Sequence, residues 1–213
     1  VINGTVTGLA DGEVKIITTQ NDRTVIASGI SKDGVFSIKG AIEEPGLYYL
    51  ILGKEQPQYI YLENKTITVK GSKADIKNIK IEGSSAHIDF LEFNRIFNPL
   101  IGELNAVAAQ LDREVSERKR DALLIEYDSI VSLVDAQVGS FVSARKSSYV
   151  SPFLLWVTAR ISEQPLVLEE RFNMLDDEIR KTKIGKSLEE FIAVQKVGAI
   201  DTDALNFTQN DVN

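Results

Sequence analysis

Cysteine is absent from the 213-residue sequence, and histidine occurs once, at position 87. Without thiols the chain can form no disulfide and no zinc site built on thiolates, and it carries out no thiol catalysis of its own. No apolar run approaches the roughly 20 residues that a membrane helix needs. We therefore expect no transmembrane segment in this chain and no catalysis that depends on its own cysteines.

An excess of basic residues is also missing. The chain has 24 lysines and arginines against 31 aspartates and glutamates, so its formal net charge is −7. A nucleic-acid backbone is bound by a clustered basic face. The densest basic run, Arg113 to Arg120, is interrupted by Glu114 and Glu117, which is typical of a solvated helix face or a turn. We predict that nucleic acid is not a partner.

Known catalytic motifs are absent as well. The sequence has no glycine-rich dinucleotide fingerprint after a strand, no phosphate loop with a lysine and no Gly-x-Ser-x-Gly elbow. Neighbouring carboxylates occur at Glu43-Glu44, Asp176-Asp177-Glu178 and Glu189-Glu190. Adjacent positions on a helix diverge, so such neighbours do not face one substrate, and solvated faces explain them. We predict no catalytic, cofactor-binding or metal-ligating residue.

The single histidine, His87, falls in the first turn of the first predicted long helix. It could act as a base or a ligand, but no second histidine or cysteine can share a metal with it. We predict that His87 serves at the start of the helix or at a domain interface.

The period of the apolar residues changes within the stretch from Ile79 to Phe93. Before this stretch apolar residues alternate with polar ones, and after it they recur every three or four residues. Period two indicates strands and period 3.6 indicates helices. Gly83 releases the backbone at the change, and Ser84 or Ser85 can cap the helix that follows.

Short strands and frequent turn signals fill residues 1–82. Turns are predicted at Ala10-Asp11-Gly12, Gln20-Asn21-Asp22, Lys32-Asp33-Gly34 and Pro45-Gly46. Strands this short, with turns every 8 to 12 residues, indicate a sandwich or a barrel. We predict an N-terminal antiparallel β-sandwich.

Residues 83–198 have the pattern of a helical domain. One apolar stripe runs from Phe90 to Leu111 and a second from Leu124 to Phe141. Pro99 should kink or divide the first helix. Ser151-Pro152 opens another helix, and the residues from Leu166 to Ile179 are predicted to form a single helix after it. We predict an α+β protein whose sandwich is followed by a bundle of about four to five helices, with residues 199–213 forming a linker and a truncated domain entry.

Tyrosine is concentrated in one pair of predicted strands, with Tyr48, Tyr49, Tyr59 and Tyr61 supplying four of the six in the chain. Tyr59 and Tyr61 are two residues apart, so both rings should point to the same face of the sheet. A sugar or a peptide could stack on them. Alternatively, the rings cover the sandwich where the helices dock.

Several segments resemble the β-domain of unknown function that precedes a thioredoxin-like domain in thiol–disulfide oxidoreductases of the TlpA/ResA type from the Bacteroides group. The β-domain resemblance is carried by INGTVTGL, GEVKI, DGVFSIKG, GLYYLIL and the hinge that contains IEGSS and DFLEFN. Near the end, Ala204-Leu205-Asn206-Phe207 stands where that family has Ala-Pro-Asp-Phe at the entry to the thioredoxin-like domain.

The resemblance implies a non-catalytic N-terminal region that positions, dimerises or presents substrate to a thioredoxin-like domain beyond Asn213. It implies protein thiols and disulfides as substrates of that domain, and a location in the periplasm or cell envelope with a possible lipid anchor. It transfers no catalytic residue to this chain. The alternative is a self-contained glycan- or peptide-binding module that uses Tyr59 and Tyr61.

Overall fold

The computed structural model describes residues 1–19, 23–114, 116–162 and 165–196. The protein forms two compact units, Val1–Asn94 and a second that starts at Arg95. The division predicted at residue 82 is placed where the apolar period changes, whereas the compact units are defined by packing. The two boundaries describe different things, and the predicted domain division stays a prediction. The predicted turn at residues 20–22 and the predicted linker and domain entry at 199–213 lie outside the described residues.

The first unit contains eight described β-strands and a 3-10 helix, Lys73–Asn78. Apolar and polar residues alternate along these strands, so that each strand has one buried face, as in β1, where every second residue is buried. The strands are β1 (Ile2–Thr7), β2 (Gly12–Thr18), β3 (Val25–Ser31), β4 (Val35–Ile38), β5 (Gly46–Leu52), β6 (Gln58–Leu62), β7 (Ile67–Ser72) and β8 (Lys80–Glu82).

These strands form two four-stranded sheets. The first sheet has the order β4-β1-β7-β8 and the second has the order β3-β2-β5-β6. Their inner faces share one core, which includes Val6 and Val69 from the first sheet and Val14, Leu50 and Ile60 from the second. The predicted sandwich is confirmed, with one difference in detail. β1 and β7 pair in parallel, whereas the other strand pairs are antiparallel.

The turn between β3 and β4 joins the two sheets at a corner. Lys32 and Val35 exchange two backbone hydrogen bonds of 2.9 Å. Between them Asp33 and Gly34 have φ angles of 51° and 77°, the left-handed conformation that Asp-Gly pairs favour in tight hairpins. The predicted turn at Lys32-Asp33-Gly34 is thereby confirmed.

Six α-helices follow among the described residues, one more than the upper estimate from the sequence. They are α1 (Ser85–Leu111), α2 (Glu117–Ala144), α3 (Val150–Ser162), α4 (Pro165–Asn173), α5 (Asp177–Arg180) and α6 (Lys183–Lys196). α1 is not divided at Pro99. The segment predicted as one helix from Leu166 to Ile179 is two, because the chain turns between Asn173 and Asp177.

Apolar side chains and two ion pairs hold the helices of the second unit together. Phe97 of α1 and Phe141 of α2 meet edge to face, with ring centroids 6.3 Å apart. Arg171 of α4 binds both carboxylate oxygens of Asp135 on α2 at 2.7 Å, and Lys196 of α6 pairs with Glu169 of α4 at 2.9 Å. The predicted stripes are only partly buried, since Phe97 is 1% exposed whereas Leu124, near the start of α2, is 43% exposed.

Gly83 sits at the point where the strands give way to α1. Its φ is +95°, and a Cβ atom at this position would lie 2.3 Å from the carbonyl oxygen of Thr66. A side chain here would therefore have both a strained backbone and a steric overlap. The expectation that Gly83 releases the backbone is confirmed.

We predict that Gly83→Ala lowers the free energy of unfolding by about 1–3 kcal/mol, because alanine would occupy a strained backbone conformation. The matched control is Gly46→Ala, since the nearest atom to a Cβ at Gly46 is 3.5 Å away, an ordinary contact. Urea denaturation followed by tyrosine and tryptophan fluorescence measures both variants. Equal stability of the two variants would contradict the prediction.

Candidate functional site

The two tyrosines singled out from the sequence lie on β6, which is an edge strand of the second sheet. Ile60 and Leu62 of this strand point into the sandwich core. Tyr59 and Tyr61 alternate with them on the outer face, where both rings contact Phe90 of α1. Tyr61 is 3% exposed and Tyr59 is 51% exposed. Of the two, Tyr59 alone therefore presents a large part of its side chain to solvent.

Phe90 is the centre of an aromatic cluster within the first unit. Its ring centroid lies 6.0 Å from that of Tyr61, 6.3 Å from Tyr59, 6.2 Å from His87 and 5.9 Å from Phe93. These separations are in the range of favourable aromatic pairs. Phe90 itself is 5% exposed, so the cluster attaches the first turns of α1 to the outer face of the second sheet.

Tyr59 also pairs with Tyr49 on the neighbouring strand. The two residues are directly opposite in the β5–β6 register, their ring centroids are 4.8 Å apart and their hydroxyl oxygens are 3.0 Å apart. The hydrogen bond to Tyr49, together with burial, raises the pKa of Tyr59. The exposed part of the tyrosine face is thus a hydrogen-bonded pair and not two separate rings.

Side chains from the start of α1 occupy the free edge of β6. The backbone N–H of Tyr61 donates to Nδ1 of His87 at 3.2 Å, and the hydroxyl of Ser84 lies 3.0 Å from the carbonyl oxygen of Tyr61. An edge strand otherwise leaves such groups open to pairing with another chain. His87 and Ser84 therefore satisfy at Tyr61 the groups that a further strand would satisfy.

Glu63, just beyond β6, brings a carboxylate to the N-terminus of α1. Its Oε2 accepts the backbone N–H of Ala86 at 3.0 Å and lies 2.8 Å from the hydroxyl of Ser84. Lys65 donates to its Oε1 at 2.8 Å. The side chain of Glu63 is 8% exposed. A carboxylate is favoured here because the first N–H groups of a helix are unpaired and carry partial positive charge.

The protonation state of Glu63 follows from these partners. Burial alone would raise the pKa of Glu63. The hydrogen bonds from Lys65, the Ala86 N–H and Ser84, together with the charge of Lys65, lower the pKa by more than burial raises it. The resulting pKa of Glu63 is about 2. We call Tyr61, Glu63, Ser84, Ala86 and His87 the helix-start cluster.

His87 has the role at the helix start that the sequence predicts. It is 3% exposed, and its backbone N–H donates to the Ser84 hydroxyl at 3.0 Å, which makes Ser84 the cap. Burial lowers the pKa of His87 to about 4. The ring is therefore neutral at physiological pH, with Nδ1 as a hydrogen-bond acceptor.

One of the carboxylate runs seen in the sequence, Asp176-Asp177-Glu178, makes local polar contacts. Arg180 pairs with Asp177, and the hydroxyl of Tyr149 donates to Glu178 at 3.0 Å. Among the described residues, no three histidine, cysteine or acidic side chains come together in a way that could hold a metal ion.

Glu63 is the member of the helix-start cluster that the sequence does not reveal. Its partners, Ser84 and Ala86, are 21 and 23 residues further along the chain. No local spacing rule relates a strand-end glutamate to a distant helix start. The capping residue Ser84, by contrast, immediately precedes an apolar helical pattern and is visible in the sequence.

Residues 1–90 match a family described as a domain of unknown function (DUF4369). No curated protein matches the chain, and no solved structure matches it. Within the part of the chain that the structure describes, no helix has both the length and the apolar composition needed to cross a membrane.

We predict that Glu63→Gln lowers the free energy of unfolding of the first unit by about 1–3 kcal/mol, because hydrogen bonds to a charged group are among the stronger ones. Glu82→Gln is the control, since Glu82 also pairs with a lysine but its side chain is 58% exposed. Chemical denaturation at pH 7 should leave this control within about 0.5 kcal/mol of the parent. A Glu63→Gln protein as stable as the Glu82→Gln protein would contradict the assignment.

His87 should make the protein less stable in mild acid. Its pKa is about 4 in the folded protein and near 6.5 in an unfolded chain. The unfolded state therefore binds the proton first as pH falls. The contribution of neutral His87 to the free energy of unfolding should be fully present above pH 6.5. It should decline by roughly 2–3 kcal/mol between pH 6.5 and 4.

The matched variant is His87→Asn, whose side-chain oxygen can accept the Tyr61 N–H but does not titrate. Because His87 is the only histidine, this variant should lose most of the pH dependence between pH 6.5 and 4.5. Unfolding free energies measured across that range for both proteins make the comparison. Parallel curves would show that the His87 side chain is not buried as described.

Proposed function

We propose that this chain is a non-catalytic accessory region, built as a β-sandwich with attached helices, that positions or presents substrates to a thioredoxin-like domain encoded downstream. The proposal includes a location in the periplasm or cell envelope, with a possible lipid anchor and possible homodimerisation. The structural observation that supports an accessory role over ligand binding is the burial of Tyr61 beneath Phe90. The sheet face that could stack a ligand is used instead for packing against α1.

A resemblance supports the proposal. The sequence has no cysteine, so in the proposed whole protein the reactive thiols would belong to the downstream domain. The N-terminal segments resemble the β-domain that precedes TlpA/ResA-type domains, and residues 1–90 match a domain of unknown function. The link to a thioredoxin-like domain rests on the resemblance.

The chemistry belongs to the proposed downstream domain. There a Cys-x-x-Cys thiolate attacks a substrate disulfide to form a mixed disulfide, and the second cysteine then displaces the reduced substrate. When the domain acts as a reductant, two electrons and two protons pass from its dithiol to the substrate disulfide and leave the domain as a disulfide. When it acts as an oxidant, the same exchange runs in reverse. The accessory region can change the rate of this reaction only by changing how substrate meets the thiolate.

The first test is to read the gene beyond the codon for Asn213. We expect a thioredoxin-like sequence with a Cys-x-x-Cys pair. A stop codon there, or a downstream sequence without paired cysteines, would overturn the redox part of the proposal.

The second test compares the whole protein with a form from which the accessory region has been deleted. The deletion should leave reduction of a small aromatic disulfide unchanged, because that substrate needs only the thiolate. Reduction of protein disulfides from the same compartment should slow by about tenfold or more if the region positions its substrates. Equal rates on both substrate classes would contradict a presenting role.

The alternative is a glycan- or peptide-binding module on the tyrosine face. The geometry supports it less well, since Tyr59 is the exposed member of the pair and its hydroxyl already bonds to Tyr49. Binding at Tyr59 remains a prediction.

A further inference from the structure

A cavity of about 560 Å³ opens at one end of the sandwich, between the two sheets. This volume falls within the range of small-molecule sites. The floor is made of aliphatic side chains that belong to the buried core of the first unit, and they come from both sheets. They are Ile2, Ile38 and Ile67 of the first sheet and Ile16 and Leu62 of the second.

A pair of reciprocal hydrogen bonds joins two of the segments that line the mouth of the cavity. The side-chain amide of Asn64 donates to the carbonyl oxygen of Ile42 at 2.7 Å and accepts the backbone N–H of Ile42 at 3.0 Å. These bonds attach the loop between β4 and β5 to the turn between β6 and β7. A mouth fixed in this way limits the ordering that a ligand must impose on binding.

The charged groups at the mouth already have partners. Among the described residues, Glu63 and Lys65 are the charged side chains that line the cavity, and they pair with each other at 2.8 Å. The α-amino group of Val1 at the same rim donates to the backbone carbonyl of Lys65 at 3.3 Å. A charged ligand would have to compete with that pair, and an anionic one would also meet a chain of net charge −7. The exposed hydroxyl of Thr66 at the same rim can donate to an uncharged oxygen.

We propose that this cavity binds the alkyl chain of an uncharged single-chain amphiphile, with its oxygen-rich head at the rim. No aromatic side chain is among the described residues that line it, so the site favours a flexible aliphatic chain over a planar ring. Burying each methylene of the ligand contributes a constant increment, so affinity should rise with chain length until the cavity is full. This inference is independent of any downstream redox domain.

Titration of the chain with octyl maltoside and decyl maltoside, each as monomers below its micelle concentration, tests the proposal. Isothermal calorimetry should show saturable binding that tightens about fourfold for each added methylene. Undecanoate and decyltrimethylammonium, which carry the same ten-carbon alkyl chain and opposite charges, should bind at least about tenfold more weakly than decyl maltoside.

Two variants place the binding site. Ala41 is exposed and lines the cavity, so Ala41→Phe should fill its mouth and weaken decyl maltoside binding by at least about tenfold. Ala10 is also exposed but does not line the cavity, and Ala10→Phe should bind like the parent. Thermal denaturation should show both variants folded, because neither removes a core side chain.

Three results would each overturn the proposal. An absence of binding would show that the cavity is not a ligand site. Equal binding by Ala41→Phe and Ala10→Phe would place the ligand elsewhere on the surface. Binding of undecanoate or of the ammonium probe as tight as that of decyl maltoside would remove the assignment to uncharged amphiphiles.

Discussion

The carboxylate of Glu63 joins the end of β6 to the first turn of α1, and the organisation of the first unit depends on this contact. It accepts the backbone N–H of Ala86 and lies within hydrogen-bond distance of the Ser84 hydroxyl. A helix start that is buried against a sheet needs partners for its free N–H groups. Glu63 supplies one from the end of an edge strand, so the helix start and the strand edge stabilise each other.

The same junction determines what remains available on the outer face of the second sheet. His87 and Ser84 bond to the backbone of Tyr61, and Phe90 covers its ring. The covered edge cannot pair with another strand at Tyr61, which removes one route to aggregation. The exposed half of Tyr59 is what this arrangement leaves of the predicted Tyr59–Tyr61 face, so a ligand there would find one exposed ring of the two.

Much of the first unit could be predicted from local patterns, because alternation sets the strand faces and Asp-Gly pairs set the turns. The change of period near Gly83 and the capping serine, Ser84, likewise locate the start of α1. The parallel pairing of β1 with β7 could not be predicted, since it joins strands some 65 residues apart. The role of Glu63 was hidden for the same reason. In the helical region, the break between α4 and α5 escaped prediction because apolar spacing continues across it.

Amide hydrogen exchange at the helix-start cluster tests most directly whether the strand edge and the helix start form one cooperative unit. If they do, the backbone N–H groups of Tyr61, Ala86 and His87 should exchange as slowly as the amides hydrogen-bonded between β5 and β6. The contrary result is exchange of these three amides at the rate of exposed loops while the β5–β6 ladder stays protected. The start of α1 would then open independently of β6, and Glu63 would not join the two elements.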